Sequence, residues 1–119
     1  MTRIGSLSKT AVVLAMGVWL ITTAAAAHAQ DAKQLYEKSC NACHGPSGKG
    51  DGPAGKMLKP PPADLGTALK GKADTDIAKI IKEGGKAVGK SVAMPAFGSK
   101  FNEEQINGLV QLVKGFSSK

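Results

Sequence analysis

Residues 45–73 constrain the fold of this 119-residue chain more than any other stretch. The sequence GPSGKGDGPAGKMLKPPPADLGTALKGKA contains seven glycines and five prolines, and it lacks the apolar–polar alternation that predicts strands. A structureless loop of this length is uncommon inside a compact domain. Apolar residues recur within it, namely Met57, Leu58, Leu65 and Leu69. The pattern therefore predicts a loop that wraps something other than protein.

Three short segments have the apolar periodicity of helices. The first covers residues 31–40, and the second covers residues 75–83 and ends at Gly84-Gly85. The third covers residues 102–114, where Asn102 and Gln105 resemble a capping box. The expected buried positions are Ala32, Leu35 and Tyr36 in the first helix, Ile77, Ile80 and Ile81 in the second, and Ile106, Leu109, Val110 and Val113 in the third. The chain is therefore predicted to be all-α, with three or more short helices and long loops.

The first 29 residues have the order of a secretory signal peptide. Arg3 and Lys9 precede an uncharged run over residues 11–27, and Ala27-His28-Ala29 is a small-x-small cleavage site. The alternative is an uncleaved membrane anchor, because the apolar run is just under the roughly 18 residues of a confident span. We expect cleavage after Ala29, so that residues 30–119 form one exported domain.

The charge is moderately basic, with 16 lysines and arginines against nine acidic residues. The basic residues are dispersed and are not interleaved with aromatic side chains, as a single-strand nucleic-acid groove would require. A positive surface of this kind favours docking onto an acidic protein partner. Lysines in the loops, including Lys49, Lys56, Lys86, Lys90 and Lys100, are the candidates to steer it.

Residues 40–44, CNACH, contain the two cysteines of the chain. A structural zinc site needs four ligands, and residues 30–119 offer only Cys40, Cys43 and His44 at a recognisable spacing. A redox dithiol of the thioredoxin type would lie beside strands, which the sequence does not predict. On a helical turn, positions i, i+3 and i+4 share one face. Two thiols can then add to the vinyl groups of one haem while the imidazole reaches its iron, so the motif predicts covalent haem attachment.

The order of these features is similar to that of class I c-type cytochromes of the small bacterial kind. CNACHG near the start of the exported domain, a Gly/Pro-rich loop, and MPAF before a last amphipathic helix carry the resemblance, which spans about residues 31–116. It implies a small cytochrome c fold in which the first and last helices cross and one haem c is held between loops. It also implies that His44 and Met94 are the axial iron ligands, and that a proline carbonyl from Pro60, Pro61 or Pro62 accepts the second ring proton of His44.

Two methionines lie outside the signal peptide, and the residues alone leave both open as ligands. Met94 lies 50 residues from His44, far enough for the chain to pass around the ring, and Pro95 stiffens the turn beside it. Met57 is only 13 residues from His44 and would need a tighter path. We expect Met94 to be the ligand, mainly because it begins the MPAF segment on which the resemblance depends.

These features predict an electron-transfer protein rather than an enzyme: a periplasmic, monomeric one-electron carrier between respiratory partners. An iron with both axial positions filled has no site for a substrate. The alternatives are a haem subunit of a larger redox complex, and a haem peroxidase or gas sensor with a labile sixth ligand.

Overall fold

The computed structural model describes residues 27–118, which form helices and irregular loops without a strand. This confirms the all-α prediction. Helix α1 covers residues 27–39 of the described part. It is followed by α2 (Asn41–His44), α3 (Leu65–Ala68), α4 (Asp74–Ala87) and α5 (Glu103–Lys114), with 3-10 turns at Gly55–Met57 and Gly115–Ser118.

Helix α5 begins where the sequence predicts it. The Asn102 side chain accepts a hydrogen bond from the Gln105 amide at 2.9 Å, and the Gln105 side chain accepts one from the Asn102 amide at 3.0 Å. This reciprocal pair is a capping box and satisfies two amides that the first helical turn leaves free. The predicted cap is therefore confirmed.

Helix α1 packs against α5 through small residues. A Cβ atom added to Gly108 of α5 would lie 3.2 Å from the Cβ atom of Ala32 in α1. Ala32 is 3% exposed. The two backbones therefore approach closely, as the resemblance implied for the first and last helices.

The core joins α1, α4 and α5. Its buried side chains come from the predicted apolar faces and from two loop positions: Tyr36, Leu69, Ile77, Ile81, Phe97, Ile106, Leu109, Val110 and Val113. Leu35 is only half-buried against this cluster. Burial of an apolar stripe supplies most of the stability of short helices such as these, because their intrinsic propensity alone is marginal.

Helix α4 extends beyond its predicted end, but its geometry breaks there. Gly84 has φ 78° and ψ 172°, which is not helical, and one further turn follows to Ala87. This backbone region is essentially restricted to glycine. The regular helix thus ends near Glu83, as the Gly84-Gly85 pair indicates.

Residues 45–73 are mostly irregular, with only the 3-10 turn and α3 inside them. The side chain of Asp64 caps α3 by accepting a hydrogen bond from the Gly66 amide at 2.8 Å. Of the four apolar residues noted in this stretch, Leu58, Leu65 and Leu69 line the cavity described below. The fourth, Met57, is the last residue of the 3-10 turn and is 79% exposed, so it does not contribute to the wrapping.

The signal-peptide prediction concerns residues 1–29, of which residues 1–26 lie outside the described residues. Residues 27–29 belong to α1, so cleavage after Ala29 would shorten that helix by three residues. Among residues 27–118, no helix has both the length and the apolar character needed to span a bilayer.

Candidate functional site

The pentad forms a single turn that presents its chemical groups together. Cys40 precedes α2, and its carbonyl oxygen accepts hydrogen bonds from the amides of Cys43 at 3.2 Å and His44 at 2.9 Å. Cys40, Cys43 and His44 all line one cavity. The two cysteines are free and half-buried. We call residues 40–44 the attachment turn.

Glycines hold the following loop against this turn. A Cβ atom at Gly52 would lie 2.4 Å from the Ala42 carbonyl oxygen, and one at Gly55 would lie 2.1 Å from the Cys43 carbonyl oxygen. The Ala54 amide also donates a hydrogen bond to the Ala42 oxygen at 2.9 Å. The glycine-rich stretch after the pentad therefore supports the attachment turn, a role that its composition alone did not indicate.

Tyr36 fixes the end of the attachment turn from the core side. Its hydroxyl donates a buried hydrogen bond to the Gly45 carbonyl oxygen at 2.7 Å. Its ring makes an edge-to-face contact with Phe116, with centroids 5.5 Å apart. Burial, with smaller contributions from Cys40 and Asp51, raises the pKa of Tyr36 to about 12, so the hydroxyl keeps its proton at neutral pH.

Met94 reaches the cavity from a loop that is far from the attachment turn in sequence. Residues 88–98, which we call the methionine loop, follow α4, and Met94 lies half-buried in the same cavity as the attachment turn. Met57, the other candidate, is 79% exposed. The structure therefore brings Met94 to Cys40, Cys43 and His44, and it leaves Met57 on the surface.

The cavity has a volume of about 210 Å³ and a largely apolar lining. An inner cavity of about 60 Å³ continues it toward the core and shares seven of its residues, namely Cys40, His44, Leu65, Leu69, Ile80, Met94 and Phe97. The prolines Pro60, Pro61 and Pro62 lie along the outer cavity. Ile80 was expected in the protein core, but it is half-buried and faces this space instead.

Burial determines the protonation of the site. It lowers the pKa of His44, which favours the neutral imidazole with one free nitrogen lone pair. Burial, with a smaller contribution from Cys43, raises the pKa of Cys40 to about 11. A redox dithiol needs a thiolate of lowered pKa, so the site does not resemble one.

His44 also has an unsatisfied atom. Its Nδ1 is buried and has no hydrogen-bond partner among the described residues. A histidine that binds a metal through one ring nitrogen usually donates the other N–H to an acceptor. The carbonyl oxygens of Pro60, Pro61 and Pro62 form no such bond here, so the expected proline partner stays a prediction.

The residues around the cavity fit a haem. Two thiols from one helical turn, a neutral imidazole and a thioether line one largely apolar cavity. The buried Nδ1 of His44 has no partner among the described residues, which leaves the imidazole without the hydrogen bond that a histidine of the core would normally make. Of the five loop lysines singled out above, Lys90 lines the cavity. Lys72 also lines it and is half-buried, although nothing in its sequence context indicated this.

The comparison with known families agrees with this site. A family model described as "Cytochrome C oxidase, cbb3-type, subunit III" matches residues 27–113. No curated protein and no solved structure matches the chain. The match includes α1, the attachment turn, the methionine loop and most of α5. The chain therefore belongs to this family of c-type cytochromes, which carry covalently bound haem c and transfer electrons through it.

Proposed function

We propose that this protein is an exported one-electron carrier whose haem is attached through Cys40 and Cys43 and ligated by His44 and Met94. The observation that carries the proposal is the convergence of these four side chains on one apolar cavity, although Met94 is 50 residues from His44. When bound there, haem supplies an iron centre that accepts and releases one electron.

The attachment turn would hold the haem on one side. The raised pKa of Cys40 keeps that thiol protonated, and a thiol adds to a vinyl group so that sulfur and hydrogen end on the two vinyl carbons. His44, neutral because of its burial, would direct a nitrogen lone pair at the iron. The contacts of Gly52 and Gly55 would keep the turn rigid during redox changes.

Met94 would supply the second protein ligand to the iron. Its thioether would favour the reduced iron and raise the reduction potential relative to a second nitrogen ligand. The apolar lining of the cavity acts in the same direction, because it excludes water from a charged centre. With both His44 and Met94 bound, the iron would have no free position for a substrate, which favours electron transfer over catalysis or gas sensing.

Replacement of each methionine tests this ligand set. Met94→Ala should abolish the sulfur-to-iron charge-transfer band and allow the reduced protein to bind carbon monoxide readily, whereas the wild type should bind it weakly. Met57→Ala is the matched control, because Met57 is exposed and should leave both measurements unchanged. A band that survives Met94→Ala would exclude Met94 as the ligand, and ready carbon monoxide binding by the wild type would favour the sensor.

Two exposed lysines near the cavity support docking onto an acidic redox partner. Lys90 lines the cavity and is exposed, and Lys100 lies 5.6 Å above the ring of Phe97, another lining residue. Attraction between exposed charges weakens as salt increases. Electron-transfer rates to an acidic partner protein should therefore fall with rising ionic strength, and a flat salt dependence would argue against electrostatic docking.

Export through the signal peptide is a further part of the proposal. Amino-terminal sequencing of the protein recovered from the periplasm should begin at Gln30. An intact amino terminus in the membrane fraction would indicate that the apolar run is kept as an anchor.

A second candidate is a fixed haem subunit of a respiratory complex, which the description of the matching family as an oxidase subunit favours. Such a subunit would use the same residues and the same haem chemistry. Size-exclusion chromatography of a mildly solubilised native extract separates the two: a free carrier elutes as a small protein, whereas a subunit elutes with a large complex.

A further inference from the structure

The break in α4 at Gly84-Gly85 lies directly against the methionine loop. Both glycines are buried. The space beside Gly84 contains the Met94 carbonyl oxygen and the Ala96 nitrogen, each 2.9 Å from where a Cβ atom would stand. A Cβ atom at Gly85 would lie 1.9 Å from the Ser91 carbonyl oxygen. Real Cβ atoms do not approach other atoms so closely, so larger residues would displace the loop.

At the break, a hydrogen bond within the helix is replaced by hydrogen bonds between the helix and the methionine loop. In an uninterrupted helix, the Gly85 amide would donate to the Ile81 carbonyl four residues earlier. Here the Gly85 amide donates to the Met94 carbonyl oxygen at 3.0 Å, and the Ile81 oxygen accepts from the Phe97 amide at 3.0 Å. The helix end thereby provides one donor to Met94 and one acceptor to Phe97, the first and last residues of the MPAF segment.

Two more backbone hydrogen bonds connect the end of α4 to the methionine loop. The Gly98 amide donates to the Lys82 carbonyl oxygen at 3.0 Å, and the Lys90 amide donates to the Gly85 oxygen at 2.7 Å. Phe97 is 7% exposed, and its ring stacks on that of Phe101 with centroids 5.3 Å apart. Met94 itself is thus held through its backbone and its neighbours.

We propose that Gly84 and Gly85 are positioning residues that set the depth and direction of Met94 in the cavity, an inference that rests on the proposed role of Met94 as an iron ligand. The backbone of Gly84 turns the chain so that the Gly85 amide leaves the helix and binds the Met94 carbonyl. The missing side chains let the loop approach closely enough for Met94 to reach the cavity.

Three glycine-to-alanine variants of the full-length haem protein separate backbone strain from close contact. Gly84 has both a positive φ and close neighbours. Gly85 has close neighbours without a positive φ, and Gly89 has φ 72° with no atom within 4 Å of an added Cβ. Gly89→Ala is therefore the matched control for strain in the same part of the chain.

Gly84→Ala and Gly85→Ala should each weaken the sulfur-to-iron charge-transfer band at least twofold and speed carbon monoxide binding by the reduced protein at least tenfold. Gly89→Ala should remain within twofold of the wild type in both measurements. Equal values for all three variants would overturn the proposal.

The outcome of Met94→Ala distinguishes a failure of this inference from a failure of the ligand assignment. If Met94→Ala loses the band but Gly84→Ala and Gly85→Ala keep it, only the positioning role is wrong. If Met94→Ala keeps the band, the ligand assignment itself fails.

Hydrogen exchange in the wild-type haem protein tests the same bonds if the variants do not fold. The amides of Gly85, Phe97 and Gly98 should exchange at least tenfold more slowly than that of the exposed Val92. Exchange as fast as that of Val92 would show that the loop is not held by the helix end, and it would overturn the proposal.

Discussion

The attachment turn and the methionine loop bring their side chains to the same cavity, but they are supported differently. The attachment turn is one helical turn, surrounded by the Tyr36 hydrogen bond, by the packed glycines and by a bond from the Gly50 amide to the His44 carbonyl at 2.8 Å. The methionine loop is largely exposed at residues 89–96 apart from Met94, and backbone bonds to the end of α4 hold it.

The two regions therefore fix their side chains in different ways. The spacing of Cys40, Cys43 and His44 is set by the helical period and persists wherever the turn forms. The position of Met94 depends on contacts between segments separated in sequence, which open at lower free energy than a core helix. We therefore expect the methionine side to be the more labile side of the site.

Replacement of either proposed iron ligand by alanine should have the largest effects, and it tests the difference between the two regions most directly. His44→Ala should lower the yield of haem-bearing protein at least tenfold, because it removes the proposed iron ligand of the attachment turn. Met94→Ala should keep the yield within about twofold of the wild type, because the two thiols and His44 remain. Haem staining after denaturation measures both yields.

Equal losses in the two variants would contradict the difference between the two sides. Normal yields of both would show that the thiols alone retain the haem. A parallel immunoblot for total chain separates loss of haem from loss of protein.

Two buried residues of α5 test whether the core supports the site or only the fold. Leu109 and Ile106 are 1% and 0% exposed, but Leu109 lines the inner cavity beside His44 and Met94, whereas Ile106 packs within the core. Each alanine variant should lower the free energy of unfolding by about 2–5 kcal/mol, as deletion of a large buried aliphatic side chain does. Denaturant titration gives these values.

The absorption spectrum separates the two variants. Leu109→Ala should also shift the visible spectrum of the haem protein, whereas Ile106→Ala should leave it unchanged under native conditions. A spectral shift in Ile106→Ala of the same size would mean that general loosening of the core reaches the site.

The contrast between the two regions also explains how much could be predicted from the sequence. The attachment turn and the capping box of α5 are local patterns, so spacing alone indicated them. The apolar stripe of α5 was predicted for the same reason. The sequence did not show that Met57 would be exposed while Leu58, Leu65 and Leu69 line the cavity, because an apolar residue in an irregular loop has no periodicity to show which way it faces.

Tertiary contacts determined the features that the sequence did not reveal. The Gly84-Gly85 pair predicts an ordinary helix end, and only the structure shows that the methionine loop fills the space beside it. Similarly, Tyr36 was predicted to be buried, but the partner of its hydroxyl lies across the attachment turn at Gly45. Ile80 matched the helical stripe, but it is half-buried and is the one residue of Ile77, Ile80 and Ile81 that lines both cavities, which the helical period alone could not show.

A smaller effect should follow from removal of the Tyr36 hydroxyl. Tyr36→Phe leaves the Gly45 carbonyl without its buried donor, so the free energy of unfolding should fall by about 1–2 kcal/mol at neutral pH. The edge-to-face contact with Phe116 is retained, which limits the change to the hydrogen bond. An unchanged stability would show that the attachment turn does not need this support.

The pH dependence of Tyr36 provides a second measurement. Its pKa is about 12 in the folded protein against an ordinary 10.0. Between these values the unfolded chain has lost the proton while the folded protein keeps it, so wild-type stability should decline as pH rises from 10 toward 12. The decline should be smaller in Tyr36→Phe, and parallel curves for the two proteins would contradict the raised pKa.

The smallest effect on stability is expected at an exposed contact between α4 and α5, which involves neither the attachment turn nor the methionine loop. Asp74, in the first turn of α4, accepts hydrogen bonds from Lys114 and, at 2.7 Å, from Gln111. These bonds lower the pKa of Asp74, with the Lys114 contact contributing most. A lowered carboxyl pKa stabilises the fold above the ordinary value of 3.8 and loses this contribution as pH falls through the folded value.

Asp74→Asn should therefore lower the melting temperature slightly at neutral pH, and the difference from the wild type should shrink as the pH falls toward and below 3.8. Surface ion pairs contribute little because water and salt screen them. Asp76→Asn is the control, since Asp76 shares the first turn of α4 and its favourable position near the helix amino terminus. If both variants give the same pH profile, the helix dipole rather than the contact with α5 explains the effect. A weaker charge-transfer band in Asp74→Asn would show that the surface contact between α4 and α5 affects the methionine loop. The support of Met94 would then not be confined to the backbone bonds at the end of α4.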